Sequence, residues 1–131
     1  MPVPNSIQYS DLDLSFAAHP VTKNLSIVKN ERAVKQALKS IVLTNRYERF
    51  YKPLLGSSIR QKLFENFGPN ISYEIKEDIR VAIRNYEPRV EILEVKVDET
   101  PDINSLEVTI TFLIRNLTDA VTTTISVERI R

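Results

Sequence analysis

The sequence predicts an α+β fold, with N-terminal helices packed on one face of a C-terminal three-stranded antiparallel β-meander. The first observation is a change of periodicity: apolar residues recur about every 3.6 positions in segments before Pro88, and alternate with polar residues from Val90 onwards. The second is that short turns separate the alternating segments, which is typical of a meander. One face of such a sheet is apolar, and only the helices can cover it.

Length and composition limit the classes of protein. The 131 residues suit one domain spanning residues 1–131, in which residues 1–20, with three prolines, form an irregular leader. The absence of cysteine excludes disulfides, thiolate metal sites and cysteine nucleophiles. No apolar run approaches the ~20 residues that a membrane span needs. The net charge of +1 gives no overall attraction to nucleic acid or to a membrane, so neither is predicted as a partner.

The first helix is predicted over residues 31–43, after a weak strand candidate at 21–28. Asn30 is a suitable N-cap because its side chain can accept a hydrogen bond from a free N–H of the first turn. The apolar residues of this segment share one helical face, and a connector over 44–57 follows. That face consists of Val34, Ala37, Leu38, Ile41 and Val42.

Two more helices are predicted before the strands. A short one begins after Ser57 or Ser58 and stops at Gly68-Pro69. Ser72 is a suitable cap for the next, which is the most regular helix and ends before Pro88 because proline disfavours helical backbone in the residue before it. Its apolar stripe consists of Ile71, Ile75, Ile79, Ala82, Ile83 and Tyr86.

The three predicted strands differ in regularity. In the first, the alternation changes phase between Ile92 and Leu93, which predicts a bulge there. Turns are predicted at 100–102 and 116–119, and the strand between them alternates without a fault. Its apolar face consists of Leu106, Val108, Ile110, Phe112 and Ile114. The last strand has Val121, Thr123, Ile125 and Val127 on one face, and Thr122, Thr124, Ser126 and Glu128 on the other.

Basic and aromatic residues are interleaved in the connector, between Arg46 and Lys52. Proteins bind single-stranded nucleic acid with such a set, by placing basic groups on phosphates and aromatic rings on bases. Because the overall charge is nearly neutral, we favour a structural role, in which the aromatic rings tuck under the sheet and the basic groups stay in water. A nucleic-acid interaction, if present, would use Arg46, Arg49 and Lys52.

Candidates for catalysis or metal binding are few. His19, the only histidine, precedes a proline in the leader and has no obvious partner for a triad. Glu65 and Glu87 lie at or near helix ends beside aromatic residues, and they are the pair to test for glycoside hydrolysis. The acidic clusters around Asp11 and Asp98 lack the continuation of a calcium loop. We therefore predict no enzyme activity, no cofactor, no metal and no small-molecule substrate.

The segment Glu87-Pro88-Arg89 joins the longest predicted helix to the first strand of the meander. Proline fixes the backbone, so the two flanking charges point in set directions. The segment is either a helix stop with an adjacent ion pair or a rigid docking point for polar groups of a partner. Residue patterns alone leave both interpretations open.

We expect the last strand to have an uncovered outer edge, because no predicted element follows it. Unpaired backbone groups on such an edge invite a partner to add a strand. Binding by β-augmentation is therefore the leading mechanism from the residues themselves. The residues predicted to form this site are Thr122, Thr124, Ser126, Val127, Glu128 and Arg129.

Three stretches resemble the baseplate wedge family of contractile phage tails, which is often labelled "lysozyme-like" and is related to the sheath-initiating subunit of type VI secretion. They are Tyr9–Asp13, Gln61–Asn66 and Ala82–Arg89, and the similarity runs over nearly the whole chain. The Glu-Pro-Arg segment is the family's signature. The connector departs from the family, which often has Arg-Pro-x-x-Pro-x-Phe-Gly where this chain has residues 49–56.

The resemblance implies a structural component of the virion, present in multiple copies in the tail baseplate and assembled in the host cytoplasm. Its partners would be other wedge proteins and the tail sheath protein. Glu87, Pro88 and Arg89 would dock on the helical core of the wedge. The C-terminal strands would pair with the first ring of sheath subunits and so template sheath polymerisation. The family label leaves a peptidoglycan-degrading enzyme of the tail as the alternative.

Overall fold

The computed structural model describes residues 9–66, 68–100, 105–115, 117 and 119–128. Along the chain, the elements are β1 (Ser10–Leu12), β2 (Ile27–Lys29), α1 (Glu31–Leu43), α2 (Ile59–Lys62), α3 (Pro69–Tyr86), β3 (Val90–Thr100), β4 (Ser105–Ile114) and β5 (Ala120–Glu128). Helices are thus followed by a three-stranded antiparallel sheet, which confirms the predicted α+β class. None of the described helices combines the length and the apolar character that crossing a membrane requires.

The sheet has the order β3-β4-β5, with β4 in the centre. Val90 is opposite Ile114 in the first pair, and Leu113 is opposite Ala120 in the second. The register of β3 against β4 shifts between Ile92 and Glu94, which confirms the predicted bulge. Of the first predicted turn, residues 101 and 102 lie outside the described residues.

The core lies between one face of this sheet and two helices, α3 against β3 and α1 against β5. Phe112, in the central strand, is fully buried, and so are Leu38 of α1 and Ile79 of α3. The predicted bounds of α1 are confirmed, and so is the stripe of α3. The stripe of α1 is confirmed except at Ala37, which is half-buried, whereas Ala33 is fully buried. Alternation in β4 and helical spacing in α1 and α3 therefore direct one apolar surface from each element into a shared core.

Two predicted helix caps were wrong. α3 begins at Pro69, with Gly68 in the N-cap position, rather than at Ser72. Proline is favoured at the first helical position because its missing N–H needs no partner there, so Gly68-Pro69 opens this helix. It does not end the short helix, as predicted, because α2 already ends at Lys62. Asn30 does precede α1, but its side chain makes no cap; it accepts a hydrogen bond from the Tyr9 N–H at 3.2 Å.

Part of the segment predicted to be an irregular leader is a strand. β1 pairs antiparallel with β2, and the bonds Asp13 N to Ser26 O (3.0 Å) and His19 N to Asn24 O (2.8 Å) extend the arm. Residues 9–29 are here called the N-terminal hairpin. Strands of three residues are too short to show an alternation, and this one depends on pairing with residues far along the chain. Residues 1–8 of the predicted leader lie outside the described residues.

Candidate partner-binding site

The corner, defined as Glu87, Pro88 and Arg89, forms where α3 ends and β3 begins. The Glu87 N–H still donates to the Ile83 carbonyl at 2.8 Å, and Pro88 then prevents the helix from continuing. The Arg89 guanidinium turns back on Glu87, with Nε 2.6 Å from one carboxylate oxygen and an Nη 2.8 Å from the other. This is the fork-to-fork geometry of a strong arginine–carboxylate pair.

The charges of the corner are satisfied within the chain. Glu87 is only 4 % exposed, and Arg89 also donates to Asp11 of β1 at 3.2 Å. The Arg89 guanidinium lies over the Tyr9 ring, 5.5 Å from its centroid, which is cation–π geometry. The hydrogen bond to Glu87, and then the one to Asp11, raise the pKa of Arg89, whereas burial opposes the shift. The geometry therefore favours the helix stop with an ion pair over displayed charges, and partner binding at this corner stays a prediction.

A groove of about 440 Å³, the arginine groove, lies directly beside the corner. Arg80 and Arg84 reach it from successive turns of α3, and Arg115 from the residue after β4. Pro88 and the half-exposed Leu93 complete an amphipathic rim. Glu87 and Glu91 also line the groove, so its three arginines are partly balanced by acidic groups. Sequence reasoning missed these arginines, although the spacing of Arg80 and Arg84 by one helical turn was readable.

The predicted edge site lies on β5, which pairs with β4 on one side. On its other side, no strand of the described chain is paired with it. Thr122, Thr124, Ser126 and Glu128 are exposed on the face away from the helices. Two of these threonines are in hydroxyl contact across the sheet, Thr124 with Thr109 at 3.4 Å and Thr122 with Thr111 at 3.3 Å.

Val127 and Arg129 complete the predicted edge site. The Val127 side chain is 2 % exposed and belongs to the core, so only its backbone is available to a partner. Arg129 lies outside the described residues. The edge therefore offers mainly backbone groups, flanked by small hydroxyl side chains. Binding at these residues remains a prediction.

A second groove, the edge groove, has a volume of about 610 Å³ and runs between β5 and α1. β5 contributes Thr123, Thr124 and Ile125. α1 contributes polar and basic side chains and the apolar Leu43, and Leu14 of the N-terminal hairpin lines the far side. The edge was predicted from the sequence, but this groove was not, because its walls come from three separate parts of the chain.

The aromatic residues of the connector do not tuck under the sheet, so that prediction was wrong. Phe50 is 97 % exposed and Tyr51 is 95 % exposed, and the two rings meet edge to face with centroids 6.3 Å apart. Asp78 of α3 holds the connector, since it pairs with Arg46 and accepts from the Ser58 N–H at 2.7 Å. The connector is thus fixed to α3 through Asp78, and its aromatic rings project into solvent.

The connector also contains a glycine that its backbone requires. Gly56 has a φ of 118°, and a Cβ there would stand 2.3 Å from the Thr44 carbonyl oxygen. A side chain at this position would strain the backbone and collide with Thr44. Of the three basic residues proposed for nucleic-acid binding, Arg46 is committed to Asp78, while Arg49 and Lys52 are exposed.

The structure does not bring the candidate catalytic residues together. Lys62 of α2 pairs with Glu74 near the start of α3, and the helical rise puts Glu74 about 20 Å from Glu87. Glu65 lies between the end of α2 at Lys62 and the start of α3 at Pro69, so it is near the beginning of α3, whereas Glu87 follows its end. Paired carboxylates of glycoside hydrolases are about 5 to 9.5 Å apart.

The remaining polar candidates are occupied locally. The Nδ1 atom of His19 accepts from the N–H groups of Val21 and Thr22, each at 3.3 Å, so its role is to hold a turn of the hairpin. The N–H and side chain of Ser15 hydrogen-bond Asp13 and lower its pKa. Across the described part of the chain, no three acidic or histidine side chains are grouped to hold a metal ion.

Comparison with known proteins identifies the family of this fold. Residues 28–119 match the family of baseplate wedge protein gp25. The chain is also 34 % identical over 104 residues to baseplate wedge protein gp25 of Enterobacteria phage T4. The aligned residues make up 79 % of this chain and 78 % of that protein. The chain belongs to the gp25 baseplate wedge family. It is a baseplate wedge protein of a contractile tail system, as the sequence resemblance predicted.

Two solved structures of lower identity share the fold of this baseplate wedge protein. A subunit of the anti-feeding prophage baseplate superposes with a TM-score of 0.72 at 24 % identity, over 86 % of this chain and 90 % of that one. A Geobacter sulfurreducens protein described as a tail lysozyme superposes with a TM-score of 0.69 at 20 % identity, over 77 % of this chain and 92 % of that one. At these identities the likeness concerns the fold alone.

Proposed function

We propose that this baseplate wedge protein connects the wedge to the sheath: it docks on the wedge core through the surface around the corner, and it templates sheath polymerisation by accepting a strand at β5. It acts without catalysis and without a cofactor. It is present in several copies in the tail baseplate of the virion, and it joins the baseplate in the host cytoplasm during assembly.

The observation that carries this proposal is the open edge of β5. The strand has nine residues, is regular throughout its pairing with β4, and has the edge groove beside it. A long, regular edge without a cover is what a partner strand needs, because main-chain hydrogen bonds supply the affinity. Glu128 near its end discourages unspecific pairing.

We assign the wedge contact to the corner, which leads into β3 at the opposite edge of the sheet from β5. Glu87 and Arg89 satisfy each other, so their role is to hold the corner rigid rather than to bind directly. Pro88 is exposed there, beside the three arginines of the amphipathic rim of the arginine groove. A helical bundle with acidic residues would complement this rim.

The strand-acceptor function can be tested with a pair of proline substitutions in β5. Neighbouring residues of an edge strand point their N–H groups to opposite sides of the strand. Of Thr122→Pro and Thr123→Pro, one therefore removes a hydrogen bond to β4, and the other, called the edge-directed variant, removes only an N–H of the open edge. We expect the edge-directed variant to keep its thermal unfolding transition and to lose sheath nucleation on assembled baseplates. Normal sheath growth with that variant would overturn the proposal.

The alternative, a peptidoglycan-degrading enzyme, was raised by the family label and by the description of the Geobacter relative. Against it, both oxygens of the Glu87 carboxylate are bound by Arg89. The second carboxylate, Glu65, lies toward the other end of α3. Cleavage of purified peptidoglycan by the full chain, abolished by Glu65→Gln, would establish the alternative; we expect no cleavage.

A further inference from the structure

The edge groove has a charge that a partner strand must match. On α1, the side chains that line it follow one stripe, from Lys35 through Lys39 to Leu43. Lys35 already pairs with Glu31 at 2.6 Å. Among the described residues, no carboxylate pairs with Lys39, and none lines the groove. The wall facing an added strand is therefore basic, with its free charge at Lys39.

The far wall of the edge groove is held in place by hydrogen bonds to α1. The Gln36 side chain of α1 donates to the Leu12 carbonyl at 2.7 Å and accepts from the Leu14 N–H at 3.1 Å. These two bonds hold the N-terminal hairpin against α1, where Leu14 lines the groove and is 53 % exposed. The groove thus has an apolar side opposite its floor on β5.

A strand added to β5 continues the alternation of the sheet, so every second side chain faces the edge groove. Thr123 and Ile125 of β5 face the same way. Groove-facing positions of the partner are about 6.7 Å apart. The step from Lys39 to Leu43 is one turn of α1, about 6 Å, which is close to that spacing.

We propose that the segment added to β5 is an extended chain of a second protein with a carboxylate at one groove-facing position and an apolar side chain two residues away. The carboxylate pairs with Lys39, and the apolar side chain packs against Leu14 and Leu43. This inference rests on the proposed strand-acceptor function and adds the chemistry of the strand. An uncharged partner strand would leave Lys39 partly desolvated without a counter-charge, which is unfavourable.

The test measures binding of the purified tail sheath protein to the full chain, with charge reversal at Lys39. We expect Lys39→Glu to weaken binding by about tenfold or more and to reduce its dependence on salt, because attraction becomes repulsion. Lys39→Ala should weaken it by a few-fold. The matched control is Lys96→Glu on β3, at the opposite edge of the sheet, which makes the same charge change at an exposed side chain and should leave binding unchanged.

The outcomes separate this inference from the function on which it rests. If Lys39→Glu binds like the native chain while the edge-directed proline variant does not bind, strand addition stands and the acidic partner is overturned. If neither substitution changes binding, both are overturned. An equal loss with Lys39→Glu and Lys96→Glu, in chains with native thermal unfolding, would indicate general charge attraction and would also overturn the assignment to Lys39.

Discussion

At the corner, the N–H groups of Arg89 donate to Glu87 and Asp11 within the chain. At the edge groove, by contrast, Lys39 is exposed and pairs with no carboxylate of the described residues. The two regions are both charged, yet one is closed and the other open. A buried charge must be paired within the protein, so it serves stability and shape. An exposed charge costs little when free and is available to a partner.

The N-terminal hairpin links the two regions. Asp11 of β1 is bound to Arg89 at the corner, and the backbone of residues 12–14 is bound to Gln36 beside the edge groove. The same arm therefore completes the closed region and forms a wall of the open one. Substitutions at these contacts should lower the free energy of unfolding by different amounts, according to how much buried charge they leave unpaired.

The largest effect is expected from Arg89→Ala. It leaves the buried Glu87 carboxylate without its partner, which should lower the free energy of unfolding by about 3 kcal/mol in a urea titration. The double substitution of Glu87 and Arg89 by Ala should lose less than the sum of the single losses, because no lone charge remains. Arg84→Ala, on the exposed side of α3, is the control and should change stability by at most about 0.5 kcal/mol. An Arg89→Ala chain as stable as the control would show that the corner is not held by this pair.

The features that could be predicted from the sequence are those set by interactions between residues close together in the chain. The bulge at Ile92, the faces of β4 and the bounds of α1 follow from local periodicity and were predicted. The start of α3 was missed because Gly68-Pro69 is compatible with either a helix stop or a helix start; here it begins α3, and α2 already ends at Lys62. A local pattern with two structural uses does not say which one the fold adopts.

The candidate sites depended more on tertiary contacts. The burial of Glu87 and the bond from Arg89 to Asp11, 78 positions away, are properties of the packed chain. The edge groove likewise combines Leu14, Lys39 and Ile125 from separate elements. Sequence could indicate the corner and the edge as places of interest, but not which one is closed.

A smaller effect is expected from Asp11→Ala. Arg89 keeps its two bonds to Glu87, and the lost pair is partly exposed, so stability should fall by at most about 1 kcal/mol. The change should be local, with faster amide hydrogen exchange in β1 and β2 and unchanged exchange in β4. A loss as large as that of Arg89→Ala would mean that Asp11, rather than Glu87, is the main partner of the guanidinium.

The smallest effect on stability is expected from Gln36→Ala, which removes two exposed hydrogen bonds and should cost about 0.5 kcal/mol. Amide exchange at Leu14 should become several-fold faster, since its N–H loses its acceptor. Gln61→Ala replaces an exposed glutamine of α2 that does not contact the hairpin through any described hydrogen bond; it is the control and should leave Leu14 unchanged. If binding of the sheath protein weakens with Gln36→Ala but not with the control, the hairpin is a working wall of the edge groove. If amide exchange at Leu14 becomes faster but binding of the sheath protein is unchanged, the partner strand contacts only β5 and α1. Loosening Leu14 would then have no effect on the affinity.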